Sequence, residues 1–147
     1  MSVFATTWII LQKAAQNAAP VYLYWFGNEQ GSHLPPEVYH TLPVSVPVGS
    51  QPLHAVGLAY AEKVKRSRRI AVSFMGEGAT SEGAVHEAFN LAAVWRAGVI
   101  FYVQNNQWAI SSNIASQTKV PLYRRGEGFG VPGLLRYVFR FVESVVG

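Results

Sequence analysis

Cysteine is absent from the chain. That excludes disulfides, thiolate metal sites and a cysteine nucleophile, and it favours an intracellular setting. Charge is sparse too, at 14% of residues against 50% hydrophobic. A chain so composed can bury a sizeable core, which argues against wholesale disorder. Long apolar runs are also missing. The stretch Val3 to Leu11 falls well short of the ~20 residues that cross a bilayer. No lysine or arginine precedes it, as a secretory signal would require. The expectation is a soluble, cytoplasmic chain with no membrane span. Neither an internal repeat nor a low-complexity tract occurs. A length of 147 residues fits one domain, or part of a larger one.

The net charge of +4 is unevenly placed, with Lys63, Lys65, Arg66, Arg68 and Arg69 close together. A nucleic-acid patch is one explanation. A solvated helix end is the better one, because cations suit the negative end of a helix dipole. No interleaved aromatics or nucleic-acid motif accompany the cluster.

Residues 3–19 suit a helix stopped by Pro20. The following "VYLYWFGNEQGSHLPPEVYHTLPVSVPVGSQP" is too rich in proline for a long helix or a central strand. It predicts an ordered, irregular segment, extended over Val44 to Val48. Ser50 then offers an N-cap, with Pro52 just inside a helix. Leu53, Val56, Gly57, Tyr60 and Val64 recur at helical spacing. "RIAVSF" predicts a short buried strand. "SEGAVHEAFNLAAVWRAG" predicts a helix with Val85, Phe89, Ala92 and Ala93 on one face, stopped by Gly98. "VIFYVQ" predicts a second buried strand. Strand, helix, strand at this spacing is a βαβ unit, so the class is α/β with a parallel sheet. Ligands in such folds sit beyond the carboxyl ends of the strands. Two segments fall there: Gly76-Glu77-Gly78 and Asn105-Asn106.

Gly76 and Gly78 permit a sharp turn and a close backbone approach to a ligand. The next helix is expected to begin near Ser81, where free N–H groups can receive an anion such as a phosphate. A carboxylate between the glycines would repel a bare phosphate. It becomes useful if a divalent cation stands between them, since Mg²⁺ prefers oxygen ligands and commonly bridges a carboxylate and phosphates. Asn106 adds an amide oxygen at the same sheet edge. Taken alone, Gly-Glu-Gly is more commonly a tight turn with a solvated glutamate, and Asn-Asn is weaker still. Their placement at successive strand ends favours a Mg²⁺–diphosphate site. The Gly-Lys-Ser/Thr element of a P-loop is absent, and Ser81 stands at the last glycine position of the dinucleotide fingerprint.

"GEGATSEGAVHEAFNLAAVWRAGVIFYVQNNQWAIS" resembles the thiamine-diphosphate motif of 2-oxo-acid dehydrogenase alpha subunits, and "LPVSVPVGSQPLHAVGLAYAEK" resembles the segment before it. The match runs from about Tyr24 to Gln117. It implies a thiamine-diphosphate-binding fold, a parallel sheet flanked by helices. It also implies Mg²⁺ held by Glu77, Asn106 and the backbone carbonyl of Trp108. Gly76, Gly78 and Ala79 would approach the diphosphate. Val46 and Val48 would hold the aminopyrimidine ring through backbone contacts. Ser45, Pro47, Ser50 and Gln51 match a segment that binds K⁺ in some relatives. The implied reaction is decarboxylation of a 2-oxo acid by the cofactor ylid, then acyl transfer to a lipoyl group on an acyltransferase component. Pyruvate is favoured because "VQNNQWAIS" looks like the bacterial pyruvate enzymes; the branched-chain enzyme is the alternative. The implied partner is a beta subunit in an alpha2beta2 heterotetramer.

The chain departs from that pattern at both ends. The upstream tyrosine-arginine pair that clasps the diphosphate has no counterpart. Downstream, "GFGVPG" fits, but "LLRYVFRFVESVVG" does not continue into the family's Gly-x-Asp segment. The loop with the functional histidine is absent, and the activating glutamate belongs to the beta subunit, so no catalytic residue is assigned. The expectation is a single partial domain over 1–147: a lead-in over 1–43, a cofactor-binding core over 44–133 and an atypical tail over 134–147. Such a fragment, or product of a truncated or frameshifted frame, would not turn over alone. A non-catalytic remnant that binds a partner chain is the competing reading.

The remaining candidates have plainer explanations. "HEAFN" has Asn90 where a zinc helix needs histidine. His86 and Glu82 fit an exposed ion pair or a subunit contact. His33, His40 and His54 lack metal-ligand spacing. Ser81 suits a helix cap better than nucleophilic catalysis. Trp95 and Trp108 suit packing, although the family usually has an aromatic at the position of Trp108.

Overall fold

Apolar runs and helical periodicity alternate between positions 50 and 104, and they fold as a strand–helix–strand unit led by a further helix. The computed structural model describes residues 19–33, 40, 42 and 46–135. Positions 3–18 of the expected first helix, Val44, Ser45 and most of the 134–147 tail lie outside the described residues.

Helix α1 spans Ala19–Trp25. Pro20 lies in this helix; whether an earlier helix ends there falls outside the described residues. A 3-10 turn follows at Glu29–Ser32, capped by the Asn28 side chain, which accepts from Gln30 N at 2.9 Å. This stretch has more regular structure than its prolines suggest.

The expected extended segment is a turn where it is described. Ser50 N donates to Pro47 O at 3.4 Å, and Gly49 has φ +82°. That is the glycine position of a type II turn. Helix α2, Gln51–Val64, starts there. Ser50 occupies the N-cap position, but its hydroxyl donates back to Pro47 O at 2.8 Å and makes no capping bond. The buried face of α2 is Pro52, Ala55, Val56 and Ala59; of the predicted row, Val56 is fully buried and Leu53 packs against its cluster, and the other three are exposed. Gly57 is exposed, and Tyr60 and Val64 are 40% and 66% exposed. Small side chains at Ala55 and Ala59 let α2 lie close on the sheet, and Val56 fills the core beside them.

Strand β1, Ala71–Gly76, pairs in parallel with β2, Val99–Gln104, from Ala71 opposite Val99 to Gly76 opposite Gln104. Helix α3, Gly83–Trp95, makes the crossover that parallel strands need. It starts later than expected, with Glu82 at the N-cap position. Its end is set by Arg96 in the left-handed conformation (φ 47°, ψ 47°), not by Gly98. Lys63 Nζ donates to the Trp95 carbonyl at 2.6 Å, satisfying an open group of that end.

Helices α2 and α3 pack on the sheet face that carries Ala71, Met75, Val99, Phe101 and Val103. Val85, Ala88 and Ala55 are fully buried there. Burying a Val or Phe side chain in such a cluster contributes about 1.5–3 kcal/mol. Strand β1 is buried almost throughout, but β2 alternates between half-buried and exposed, contrary to the expectation of a second buried strand. Ile100 and Tyr102 point to the other face and are 48% and 41% exposed.

Beyond β2 the chain forms a small antiparallel ribbon, β3 (Trp108–Ala109) with β4 (Ser112–Asn113). Two short helices follow, α4 (Ile114–Gln117) and α5 (Leu122–Arg125), then a 3-10 turn at Glu127–Phe129. Phe129 and Val131 return to pack on Met75, Val85 and Phe89.

The basic cluster sits at the end of α2. Glu62 binds Arg69 Nε at 2.7 Å and lies 3.9 Å from Lys65 Nζ. The Ser67 hydroxyl first, then the charges of Arg69 and Lys65, hold the Glu62 carboxyl below its ordinary value. These contacts fit a helix end. No described helix is long and apolar enough to cross a membrane.

Candidate functional site

The level register of β1 and β2 brings the two predicted segments together. Past Gly76 the chain tightens into a 3-10 turn, Glu77–Ser81. Glu77 is 3% exposed. Its Oε2 accepts from Asn106 N at 3.4 Å, a long bond, and its Oε1 is buried with no hydrogen-bond partner. A carboxylate taken out of water with so little compensation is costly. The turn that holds it is firm: Thr80 Oγ1 donates to Glu77 O at 2.6 Å.

Asn105 and Asn106 bend the opposite strand end. Asn105 Oδ1 accepts from Gln107 N at 2.9 Å, and Asn106 Oδ1 accepts from Trp108 N at 2.8 Å. Side-chain turns of this kind are what asparagine favours. They carry the chain through Gln107 at φ 71° into β3. The Asn106 oxygen retains a second lone pair.

The two glycines differ. A Cβ on Gly76 would meet nothing within 4 Å, so that side of the turn is open to a ligand. A Cβ on Gly78 would stand 2.7 Å from Ala109 Cβ, so Gly78 is needed for the approach of β3. The Ala79 side chain belongs to the core with Met75 and Phe89. Only backbone groups of Ala79 could face a ligand.

Trp108 is 53% exposed, so it is not the packing residue expected. Trp95 does pack, against Tyr60 at 4.7 Å between ring centroids. Val46 and Val48 are 78% and 65% exposed. Their turn lies against the start of α3, where a Cβ on Gly49 would meet Glu82 Cβ at 2.9 Å. Ser50 Oγ and Gln51 Nε2 both reach Pro47 O, at 2.8 and 3.5 Å. Ser45 lies outside the described residues.

His86 makes no ion pair with the Glu82 side chain. Its Nδ1 lies 3.1 Å from the Glu82 backbone carbonyl, and its Nε2 lies 2.6 Å from Arg125 Nη2. Arg125 also donates from Nη1 to Thr80 Oγ1 at 2.8 Å. Sequence reasoning missed Thr80 and Arg125 at this site. Nothing periodic links positions 80 and 125; only folding brings them together. Ser81 is exposed and caps no helix.

Glu77 and Asn106 bring side-chain oxygens of the kind a hard divalent cation takes to one sheet edge. Among the described residues no group of three or more His, Cys, Asp or Glu could hold a metal by itself. One buried carboxylate with an orphaned oxygen therefore fits a cation completed by the oxygens of an anionic ligand.

A sequence profile of the family described as "Dehydrogenase E1 component" matches residues 8–135. The 3-methyl-2-oxobutanoate dehydrogenase subunit alpha of Mycobacterium tuberculosis (strain CDC 1551 / Oshkosh) is 52% identical over 93 residues, 63% of this chain and 25% of that protein. The pyruvate dehydrogenase E1 component subunit alpha of Acholeplasma laidlawii is 41% identical over 114 residues, 76% of this chain and 32% of the relative. Its namesake in Mycoplasma genitalium is 40% identical over 98 residues, 67% of this chain and 27% of the relative. The chain thus spans a quarter to a third of the length of the curated relatives it matches.

Proposed function

The chain belongs to the dehydrogenase E1 component family, and from that premise we propose that it forms the thiamine-diphosphate- and Mg²⁺-binding part of a 2-oxo-acid dehydrogenase alpha subunit. The observation that carries this is Glu77: buried to 3% exposure, one oxygen without a partner, the other facing the Asn106 N–H. Metal coordination would supply the partner that the orphaned oxygen lacks.

In this reading the fold is a thiamine-diphosphate-binding one, with residues 44–133 as its core. Glu77, the Asn106 side chain and the Trp108 carbonyl hold Mg²⁺ against the diphosphate. Gly76, Gly78 and Ala79 present backbone on that side. Val46 and Val48 present backbone to the aminopyrimidine ring, and Ser45, Pro47, Ser50 and Gln51 form a K⁺ site. When bound, thiamine diphosphate supplies the carbanion chemistry of decarboxylation. The chain's residues position it. Turnover and acyl transfer to lipoyl groups require a beta subunit in an alpha2beta2 assembly and an acyltransferase component. The isolated chain is inactive, and its setting is cytoplasmic.

The substrate is a 2-oxo acid. The sequence "VQNNQWAIS" supports pyruvate; the identity to the mycobacterial protein supports 3-methyl-2-oxobutanoate. Assay of both acids with a beta subunit present decides between them.

Titration of thiamine diphosphate, followed by tryptophan fluorescence with and without Mg²⁺, tests the proposal. Binding should require magnesium and be lost in Asn106→Ala. Unchanged binding in that variant would sink the assignment. One observation favours a second reading, a module that only binds a partner: Tyr22, Trp25 and Phe26 are 64%, 64% and 85% exposed. Partner binding without any cofactor affinity would support it.

A further inference from the structure

Arg125 sits on a short helix remote in sequence from the Glu77 turn, yet it reaches both ends of that turn. Its Nη1 donates to Thr80 Oγ1 at 2.8 Å, and Thr80 Oγ1 donates to the Glu77 carbonyl at 2.6 Å. Its Nη2 lies 2.6 Å from His86 Nε2, and His86 Nδ1 lies 3.1 Å from the Glu82 carbonyl. A guanidinium only donates. His86 Nε2 must therefore accept, so the imidazole proton sits on Nδ1 and is donated to Glu82. Likewise the Thr80 hydroxyl accepts from Arg125 and can only donate towards Glu77. Two directed chains thus run from one cation to the backbone carbonyls of Glu77 and Glu82, which bracket the turn. Thr80 is 4% exposed and Arg125 half-buried, so water competes weakly for these bonds.

We propose that Arg125 is a positioning residue: through Thr80 and His86 it straps the Glu77 turn into the geometry that the metal–diphosphate site needs. This rests on the cofactor reading above. Phe129 and Val131, which follow α5, pack on the Phe89 cluster and make none of the strap's hydrogen bonds.

The test is the Mg²⁺ concentration at half-saturation of thiamine diphosphate binding, measured beside the melting temperature. The proteins are wild type, Glu77→Ala, Arg125→Ala, Arg125→Lys, Thr80→Val, the Thr80→Val/Arg125→Ala double variant and Val131→Ala. Arg125→Ala should raise the magnesium midpoint about 10-fold or more, the size found when a supporting partner of a metal ligand is lost. Arg125→Lys should recover part of it. The Thr80→Val/Arg125→Ala double variant should shift less than the two single shifts combined, because both break one chain. Val131→Ala loosens the same segment without touching the strap, so it should lower the melting temperature and leave the midpoint in place. If Arg125→Ala does not fold, Arg125→Lys and Thr80→Val carry the measurement. A wild-type midpoint in the Arg125 and Thr80 variants, with binding lost in Glu77→Ala, overturns the strap alone. Equal shifts in Arg125→Ala and Val131→Ala at matched stability overturn it as well. No magnesium-dependent binding by the wild type, or none lost in Glu77→Ala, overturns the cofactor reading and the strap with it.

Discussion

Replacing Glu77 by glutamine should make the ligand-free protein more stable and the ligand-dependent protein less so. The side chain is 3% exposed, Oε1 has no partner, and Oε2 has one long bond from Asn106 N at 3.4 Å. Leaving a buried polar group unsatisfied costs about 1–3 kcal/mol, and more when it is charged. Glutamine keeps the shape and removes the charge; its amide stays unpartnered at the Oε1 position, so what is recovered is the excess that the charge adds, about 1–3 kcal/mol without metal. At about 4 °C per kcal/mol for a chain of this size, that is a rise of about 4–12 °C in melting temperature. Adding Mg²⁺ and thiamine diphosphate at ~100 times the dissociation constant should stabilise the wild type by ~2.7 kcal/mol. The glutamine variant should gain little. Thermal melts in chelator and in saturating ligand would therefore rank the two proteins in opposite orders. A variant that melts below the wild type in chelator would refute the reasoning, because it would mean that the carboxylate already has its compensation within the protein.

Three smaller perturbations follow from the same geometry. Gly49→Ala places a Cβ at φ +82° and 2.9 Å from Glu82 Cβ; it should cost about 1–3 kcal/mol, read by urea denaturation, and a neutral result would count against the packed turn. Ser73→Ala removes a buried hydroxyl without a partner among the described residues and should be neutral or stabilising by about 1 kcal/mol; a clear loss would reveal a bond the structure does not contain. Glu62→Gln should lower stability at pH 7. The folded carboxyl lies below its ordinary value of 4.5, chiefly through the Ser67 hydroxyl and also through Arg69. Its contribution is therefore present above that value and lost as pH falls through the folded one. The two proteins should converge in acid; a gap that persists there would assign the effect to something other than charge.

The βαβ unit and the meeting of Gly-Glu-Gly with Asn-Asn were legible because they depend on local rules. Apolar runs mark strands, helical spacing marks the crossover, and parallel strands joined by one helix end side by side. The details that depend on packing were not. Ala55 and Ala59 complete the buried face of α2 beside Val56 by fitting against β1, although hydrophobicity ranks them below Leu53 or Tyr60. The stop after Trp95 comes from Arg96 in a conformation that non-glycine residues seldom adopt. The strap from Arg125 needs three side chains from separate elements, and no spacing announces it.

The level finish of the two parallel strands, Gly76 opposite Gln104, bears on which genetic changes the site can absorb. Substitutions at Ile100 or Tyr102 alter an outward side chain and leave Asn106 where it is. A single-residue deletion within β2 cannot be absorbed in that way. It would draw Asn106 back by about 3.3 Å, the rise of one strand residue, and turn Phe101 or Val103 outward. That distance exceeds the tolerance of a hydrogen bond or a metal contact. Length variation should therefore collect in the ribbon tip around Ile110 and Ser111, which carries no assigned ligand, and be purged from β2.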